Sequence, residues 1–432
     1  MWLEEQVISQ LTLTNVVLGC FACIYLKFIN QIGPFWGSVT RLWTAWHDVI
    51  ETELPAIYAL TKKYGPVVRI TPTLLQVSDP TKLPEIYHWN ADRTGHYIVG
   101  SFRETESLFN MRSHKTHASF RKYAAGPRME PLIDLRIHDW INMLDEKYAH
   151  TGEIFDFSWW AVFMAYDVIS EVGFGAPFGF VKSEDVGGVI QGFHDVDFLQ
   201  TFLDARTENG EPLTTDYIKA EILIGLFSGA DTVGTAFQAM VHYLLSNLGV
   251  YERMMGEVDT AFQRSLIGDD MSQYMEIMKN LPFFVACVRE TLRMCPPVPN
   301  IFPRYVSEPG LELYGKLAPV GTEISGHSWI MNRDEKIFGK DVEEFNPDRW
   351  MNPEQAKIMN KYLTTFGYGA RGCLGRDIAM MELFKGPLQF FRHSKASPVQ
   401  GKPEAKFVVK GGVGFWRDMW VTIDRCPLVK AP

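Results

Sequence analysis

The chain has 432 residues, 46% of them hydrophobic and 22% charged, which is ample for a large buried core. Length alone predicts two or three domains, although some large enzyme folds exceed the usual single-domain size. The formal net charge of −9 and the lack of a long basic block argue against a nucleic-acid-binding protein. Six irregularly spaced cysteines are too few for a disulfide scaffold.

The first feature along the chain is an almost uncharged apolar segment at residues 7–29, VISQLTLTNVVLGCFACIYLKFI. About 20 apolar residues span a bilayer, and here acidic residues precede the segment whereas basic residues follow it. We expect a transmembrane signal-anchor at 7–29, with a luminal tail at 1–6 and the main body in the cytosol. A buried core helix is the alternative.

Helical periodicity dominates the chain after a short region of strands. An amphipathic helix followed by a strand is predicted within 52–70, and a second strand within 73–79. Strong helical patterns follow at 128–149 and 155–175. The pattern therefore predicts a mainly α-helical protein with small β-sheets.

The longest predicted helix begins at Thr214 or Thr215, both good N-cap residues, and is apolar on nearly all faces. Its middle contains SGADTV at residues 228–233, where a glycine, an acid and a threonine are each unfavourable in a buried helix. This combination indicates a functional segment. The alternative is a packing glycine beside a polar contact between two helices.

A further helix, predicted from about Asn280, carries Glu290 and Arg293. Their separation of three residues places them on one helix face, where they can pair. The later loop EEFNPDRWMNPEQA contains Arg349. Charged groups on a buried helix need such an external arginine to be satisfied.

The segment FGYGARGCLG, residues 366–375, surrounds Cys373 with four glycines. Glycine is used where the backbone turns sharply or approaches another group closely. A periodic helix follows at once, so Cys373 lies at or just before a helix N-terminus, where a thiolate is favoured. Arg371 adds a cation that can compensate acidic groups on a bound cofactor.

Zinc, an iron–sulfur cluster and haem are the candidate ligands of this cysteine. Zinc and iron–sulfur sites need several cysteine or histidine ligands, and no other cysteine has a metal-ligand spacing to Cys373. A single thiolate on a large flat cofactor fits haem best.

The string Phe366-x-x-Gly369-x-Arg371-x-Cys373-x-Gly375 resembles the haem-binding signature of the cytochromes P450 at each fixed position. SGADTV, ETLR and FNPDRW resemble three further motifs in the order of that family. The C-terminal segment KFVVKGGVGFWRDMWVTI is similar to fungal members of the pisatin-demethylase-like kind. The resemblance implies the cytochrome P450 fold, a haem domain at residues 30–432 and haem b as the cofactor.

The resemblance also implies a role for each matching residue. Cys373 is the expected proximal iron ligand, and Phe366 is expected to shield its sulfur. The other expected haem-binding residues, which contact the propionates or let the backbone approach the ring, are Gly369, Gly375, Arg371, Arg304, Arg121 and His117.

Asp231 and Thr232 match the acid–alcohol pair that is expected to relay protons to dioxygen in a site without bulk water. A structural network near the cysteine loop is expected from Glu290, Arg293 and Arg349. The predicted substrate pocket uses apolar positions that are equally readable as ordinary core: Phe102, Leu226, Phe227, Ala230, Val298, Ile301 and Val413.

Two junctions in the chain are shorter than in members of the family. After Pro127 a short stretch is missing, and after Asp195 relatives carry several dozen more residues, which form helices over the substrate pocket. Such a lid excludes water and holds substrate. We therefore expect a cytochrome P450 fold shortened in the region that roofs the active site, with haem binding retained.

The resemblance predicts a monooxygenase anchored by a single span in the endoplasmic reticulum membrane, with a cytosolic catalytic domain. It would insert one oxygen atom of O2 into an apolar small molecule, such as an alkaloid, terpenoid or polyketide of fungal secondary metabolism. NADPH would supply electrons through a separate NADPH-cytochrome P450 reductase, since the chain has no dinucleotide-binding fingerprint. The alternatives are an enzyme that rearranges, dehydrates or couples its substrate, and an inactive, truncated haem-binding product.

Overall fold

The protein is described here from a computed structural model, which covers the following parts of the chain: residue 15 and residues 32–100, 105–121, 129–184 and 211–426. Apart from residue 15, the predicted span at 7–29 lies outside the described residues. Both short junctions, Phe102 and the side chain of Arg121 also lie outside them. Among the residues that are described, no helix is both long and apolar enough to cross a bilayer.

Helices make up most of the described chain. Within it the α-helices are α1 (Phe35–Val39), α2 (Leu42–Val49), α3 (Glu53–Tyr64), α4 (Leu83–Ile86), α5 (His114–Arg121), α6 (Glu130–Leu144), α7 (Phe157–Phe174), α8 (Phe180–Ser183), α9 (Thr215–Ser246), α10 (Leu248–Gln263), α11 (Tyr274–Asn280), α12 (Pro282–Met294), α13 (Ser328–Met331), α14 (Glu335–Phe338), α15 (Pro353–Tyr362) and α16 (Arg376–His393).

The strands are short and form four small sheets. They are β1 (Val67–Arg69), β2 (Leu74–Val77), β3 (Phe155–Asp156), β4 (Arg304–Tyr305), β5 (Leu311–Leu313), β6 (Lys316–Ala318), β7 (Glu323–Gly326), β8 (Ser394–Pro398), β9 (Lys406–Lys410), β10 (Val413–Arg417) and β11 (Trp420–Arg425). The largest sheet has the order β1-β2-β7-β4, in which only β2 and β7 are parallel. The others are β3-β11-β8, β10-β9 and β5-β6.

The main hydrophobic core lies where α6, α7, α9 and α16 pack together. Trp140 from α6 is fully buried and contacts Phe237 of α9 at a ring-centroid distance of 5.4 Å. Phe157 of α7 lies 5.0 Å from Phe390 of α16. Burying aromatic side chains of this size stabilises each helix by far more than its intrinsic helix propensity does.

The helix boundaries follow the capping chemistry of the sequence. Thr214 caps α9, because its hydroxyl accepts the backbone N–H of Tyr217 at 3.3 Å. Asp156 caps α7 in the same way, and Gly175 ends that helix in the left-handed conformation. The predicted fold class, mainly α with small β-sheets, is confirmed, and each of these two helices begins within two residues of its predicted start.

Candidate active site

The cysteine loop is a tight turn that places Cys373 directly before helix α16. The backbone N–H of Cys373 donates to the carbonyl of Phe366 at 2.8 Å, which closes the loop. Helix α16 begins at Arg376 with Gly375 as its N-cap residue, so the predicted position of the cysteine is confirmed. The side chain of Cys373 is exposed, whereas Cys287 and Cys295 are buried. Only Cys373 of these three therefore offers an accessible sulfur at a helix N-terminus.

The loop glycines serve different purposes. Gly367 and Gly369 have φ angles of 75° and 67°, a region that side chains rarely allow. A Cβ at Gly369 would lie 2.8 Å from the carbonyl oxygen of Tyr87, so this glycine permits a close backbone contact inside the protein. A Cβ at Gly375 would meet no described atom within 4 Å. Of the two predicted close-approach glycines, only Gly375 therefore leaves its side of the loop open for a bound group.

Arginine side chains gather beside the cysteine loop. Arg304 is buried and donates to the Tyr97 hydroxyl at 2.6 Å and to the carbonyl of Phe302 at 2.9 Å. Arg371 donates to the carbonyl of Met111 at 2.7 Å. Both residues were predicted from the sequence, and the structure brings them to the same region as a third arginine, Arg93.

Arg93 is a residue that the sequence reasoning missed. It forms a backbone bridge with Arg304 and is buried, and its Nε has no hydrogen-bond partner in the described residues. Burial first, and then the charges of Arg304 and Arg371, lower the pKa of Arg93 to about 9, against an opposing contribution from Tyr97. Neither Arg93 nor Arg304 forms an ion pair with a carboxylate in the described residues, so these two buried side chains carry uncompensated positive charge there. Arg371 differs from them, because it is only half-buried and lies near the carboxylate of Asp92.

The predicted Glu290 network is present in the structure. Arg293 binds the Glu290 carboxylate through Nε and Nη2 at 2.9 and 2.8 Å, and both side chains are fully buried. Arg349 donates from Nε to Glu290 Oε1 at 3.0 Å. A buried ion pair needs such additional hydrogen bonds, since desolvation otherwise exceeds the Coulombic gain.

Two further groups complete this network. The indole N–H of Trp350 donates to Glu290 Oε2 at 2.8 Å, and the backbone N–H of Asn346 donates to Oε1 at 3.0 Å. Both residues belong to the quoted FNPDRW segment, yet only its arginine stood out as a charged partner. The network joins α12 to this segment. It also connects to the chain that leads into the cysteine loop, because Arg293 donates to the carbonyl of Asn332 and the hydroxyl of Thr364 donates to the Asn332 side chain.

In the central segment of α9, the side chains of Asp231 and Thr232 bond to different partners rather than to each other. Asp231 accepts a hydrogen bond from the Tyr166 hydroxyl of α7 at 3.0 Å. Thr232 donates instead to the carbonyl of Ser228 at 2.7 Å. Consecutive helix residues point in different directions, which is why the two side chains have separate partners. Burial raises the pKa of Asp231, and the hydrogen bond from Tyr166 opposes that shift.

The same segment also contains a close helix–helix contact. A Cβ at Gly229 would lie 2.7 Å from Cγ1 of Ile169, and one at Gly234 would lie 2.9 Å from Cγ2 of Val162. The alternative reading of SGADTV, a packing glycine beside a polar contact between helices, thus describes real features of this segment. It does not account for Thr232, whose side chain is half-exposed.

The remaining predicted site residues differ in how far their side chains are exposed to solvent. His117 is buried on α5, and Phe366 packs against the main core. Among the predicted pocket positions Phe227 is 55% exposed, whereas Ala230 is fully buried in the core. The other described pocket positions are buried or half-buried: Leu226, Val298, Ile301 and Val413. Their contact with substrate stays a prediction.

Comparison with known proteins identifies the family. The family model described as cytochrome P450 matches residues 189–413, more than half of the chain. Quiannulatic acid synthase of Emericella variicolor is 31% identical, over 95% of this chain and 93% of that protein. The chain belongs to the cytochrome P450 family. It is therefore an oxidoreductase of the monooxygenase class that this family comprises.

Other comparisons agree with this cytochrome P450 assignment. The cytochrome P450 monooxygenase gsfF of Penicillium aethiopicum is 27% identical, over 84% of this chain and 87% of that protein. The solved haem domain of a cytochrome P450DA mutant superposes with a TM-score of 0.73, covering 87% of this chain and 93% of that one. At 19% identity this structural match shows the fold alone, and it confirms the predicted cytochrome P450 fold.

The alignment with quiannulatic acid synthase also bears on chain length. It runs over 495 positions, more than the 432 residues of this chain, so it contains positions that only the relative fills. This agrees with the expectation that the present cytochrome P450 is shorter than its relatives. Both junctions where residues were expected to be missing fall outside the described residues.

The residues present fit a thiolate-ligated haem. An accessible cysteine sulfur lies before a helix N-terminus, and in the same region the buried Arg93 and Arg304 have no carboxylate ion-pair partner among the described residues. The propionates of a bound haem would supply the compensating negative charge. Within the described residues no three His, Cys, Asp or Glu side chains form a metal-binding group, so Cys373 stands apart from any multi-ligand site there.

Proposed function

We propose that this cytochrome P450 inserts one oxygen atom of O2 into an apolar small molecule of fungal secondary metabolism, such as an alkaloid, terpenoid or polyketide. The observation that carries the proposal is the Cys373 loop beside the buried Arg93 and Arg304. The fungal relative gsfF, a cytochrome P450 monooxygenase, supports the reaction class.

Each part of the candidate site has a task in this reaction. When bound, a haem with a cysteine thiolate ligand supplies reductive activation of O2 and favours O–O cleavage. Cys373 would hold the iron, and Arg93, Arg304 and Arg371 would bind the propionates. Asp231 and Thr232, which are both half-buried on α9, would relay protons at the site.

We further propose that NADPH supplies the electrons through a separate reductase, the usual arrangement in this family. Protein–protein electron transfer would then precede oxygen insertion. The reaction consumes one substrate molecule RH, O2, NADPH and one proton, and it yields ROH, water and NADP+.

We also propose that the protein is attached to the endoplasmic reticulum membrane with its catalytic domain in the cytosol. Leu42, Trp46 and Val49 are 73%, 61% and 72% exposed and lie along one face of α2 at helical spacing. This apolar stripe follows closely after the apolar segment at 7–29. Exposed tryptophans on such a helix favour the membrane–water interface.

Carbon monoxide binding tests the haem site directly. We expect the reduced full-length protein with carbon monoxide to show the red-shifted Soret maximum that is typical of thiolate-ligated haem. Cys373→Ala should abolish it, whereas Cys426→Ala, a change at another accessible cysteine, should leave it intact. Retention of this maximum in Cys373→Ala would contradict the assignment.

Oxygen insertion needs a separate test, because a protein can bind haem without converting any substrate. Metabolites that accumulate in a strain lacking the gene should gain one oxygen atom when incubated with the protein, a reductase, NADPH and isotopically labelled O2. Label in water alone, or a product isomeric with its substrate, would contradict monooxygenation and favour rearrangement. Haem binding with no product from any accumulated metabolite would support the inactive, shortened product instead.

A further inference from the structure

We propose that Tyr166 is a positioning residue that holds the carboxyl group of Asp231 for proton delivery during oxygen insertion, an inference that rests on the proposed monooxygenase function. Tyr166 lies on α7 and Asp231 on α9, 65 residues apart in sequence. The phenol hydroxyl donates to Oδ1 of Asp231 at 3.0 Å.

The packing of α7 against α9 places the two groups together. Val162, Tyr166 and Ile169 are spaced four and three residues apart and therefore share one face of α7. Val162 and Ile169 fit against Gly234 and Gly229, where any Cβ would clash. The two glycine contacts lie on either side of the hydrogen bond, so Tyr166 meets its acceptor between two close contacts of the helices.

Asp231 depends on this contact. Within the described residues Tyr166 is the hydrogen-bond partner of its carboxyl group. The neighbouring Thr232 cannot fix the acid, because its hydroxyl donates to the carbonyl of Ser228 on its own helix. The side chain of Tyr166 is itself held by an edge contact with Phe180 at a ring-centroid distance of 5.4 Å. The phenol is thus a fixed donor to a carboxyl group with no other described anchor.

A carboxyl group that delivers protons must be both positioned and replenished. The productive reaction converts RH, O2, NADPH and one proton into ROH, water and NADP+. If proton delivery does not support O–O cleavage, O2, NADPH and one proton instead yield H2O2 and NADP+. Removing the hydrogen bond from Tyr166 releases the acid from its position, and we therefore expect more of the reducing equivalents to appear as H2O2.

The competing explanation is that Tyr166 only joins two helices. To separate the two, we compare Tyr166→Phe, which removes the hydroxyl and keeps the ring, with Tyr243→Phe as the matched control. Tyr243 lies on α9 itself, and its ring stacks on Phe345 at 5.0 Å. The full-length haem-loaded proteins are assayed with reductase and NADPH for product and for H2O2.

We expect Tyr166→Phe to lower the product-to-peroxide ratio by about tenfold, the size expected for a lost hydrogen bond to a charged group. Tyr243→Phe should leave the ratio unchanged. Adding Tyr166→Phe to Asp231→Asn should cause no further decrease, because the phenol acts through the acid. A full additional decrease in the double variant, or an unchanged ratio in Tyr166→Phe, would overturn the proposal.

A spectroscopic measurement separates failure of this proposal from failure of the proposed function. The infrared band of carbon monoxide on the reduced haem should shift in Tyr166→Phe and in Asp231→Asn but not in Tyr243→Phe. No carbon monoxide complex in the unmodified protein would refute the proposed function. A complex whose band is identical in Tyr166→Phe and the unmodified protein would refute the role of Tyr166. If Tyr166→Phe fails to bind haem, an unshifted band in Asp231→Asn decides against the proposal in the same way.

Discussion

Arg93 is a buried arginine that is expected to lower the stability of the haem-free protein. Its guanidinium is buried, its Nε has no hydrogen-bond partner among the described residues, and it lies near the charges of Arg304 and Arg371. Burial of like charges is unfavourable unless an anion compensates them. The propionates of a bound haem would be such anions, so the same side chain would oppose folding of the haem-free protein and favour binding of the cofactor.

Replacing Arg93 should therefore weaken haem binding but stabilise the haem-free protein. Arg93→Gln should speed transfer of haem to an acceptor protein by about tenfold or more, the range for removing one partner of a buried charge pair. The same change should raise the unfolding midpoint of the haem-free protein, because it removes a buried positive charge that lies near Arg304 and Arg371. Denaturation followed by circular dichroism and haem transfer followed by absorbance measure the two effects.

The control for this prediction is Arg112→Gln. Arg112 is exposed and pairs with Glu106 at 2.7 Å, so its loss should change neither quantity by much. Equal losses of stability in the haem-free and haem-loaded forms of Arg93→Gln would indicate an ordinary structural arginine.

At the scale of elements, the contact between α7 and α9 fixes the geometry of the segment of α9 that carries Asp231 and Thr232. Gly234 lies against the backbone of Val162 as well as its side chain, since an added Cβ would be 3.1 Å from Cα and 3.3 Å from the amide nitrogen. Backbone atoms cannot rotate away as a side chain can. Separation of the two helices is therefore the only way to admit a methyl group.

We expect Gly234→Ala to destabilise the protein by about 1–3 kcal/mol, the usual cost of overpacking a core. Gly225→Ala on the same helix should instead stabilise it by about 0.5–1 kcal/mol, because a Cβ there meets nothing within 4 Å and alanine is the better helix former. Equilibrium denaturation of the two variants measures the difference. If both changed stability in the same direction, the helices would not be as close as the structure places them.

The sequence predicted these elements well and their contacts less well. Periodicity and caps located α7, α9 and α16, because those signals are local in the chain. The haem-binding motif located the cysteine loop for the same reason. Tyr166, Trp350 and the grouping of Arg93 with Arg304 were missed, since each depends on residues distant in sequence that meet only after folding. An isolated tyrosine in an apolar helix carries no local signal for its partner.

At the scale of the whole molecule, the apolar stripe of α2 is joined to the strand pair that carries Val413. Glu51, directly after α2, pairs with Arg417 of β10 at 3.0 Å and with Lys410 of β9 at 3.2 Å. The pKa of Glu51 is lowered, first by its hydrogen bond with Lys410. The backbone N–H of Gly411, in the turn between the strands, donates to Asp48 on α2. A membrane surface that binds α2 would therefore also orient the hairpin formed by β9 and β10.

The orientation at a membrane can be measured on the full-length protein in lipid vesicles. An environment-sensitive fluorophore is attached to a cysteine introduced at Leu42. In vesicles it should emit at shorter wavelength than in detergent-free buffer with residues 7–29 removed, because the stripe would enter the apolar interface. The control position is Met275 on α11, which is 70% exposed. The fluorophore at Met275 should emit at the same wavelength in both settings. Similar emission at the two sites in vesicles would contradict contact between α2 and the membrane, whatever the segment at 7–29 does.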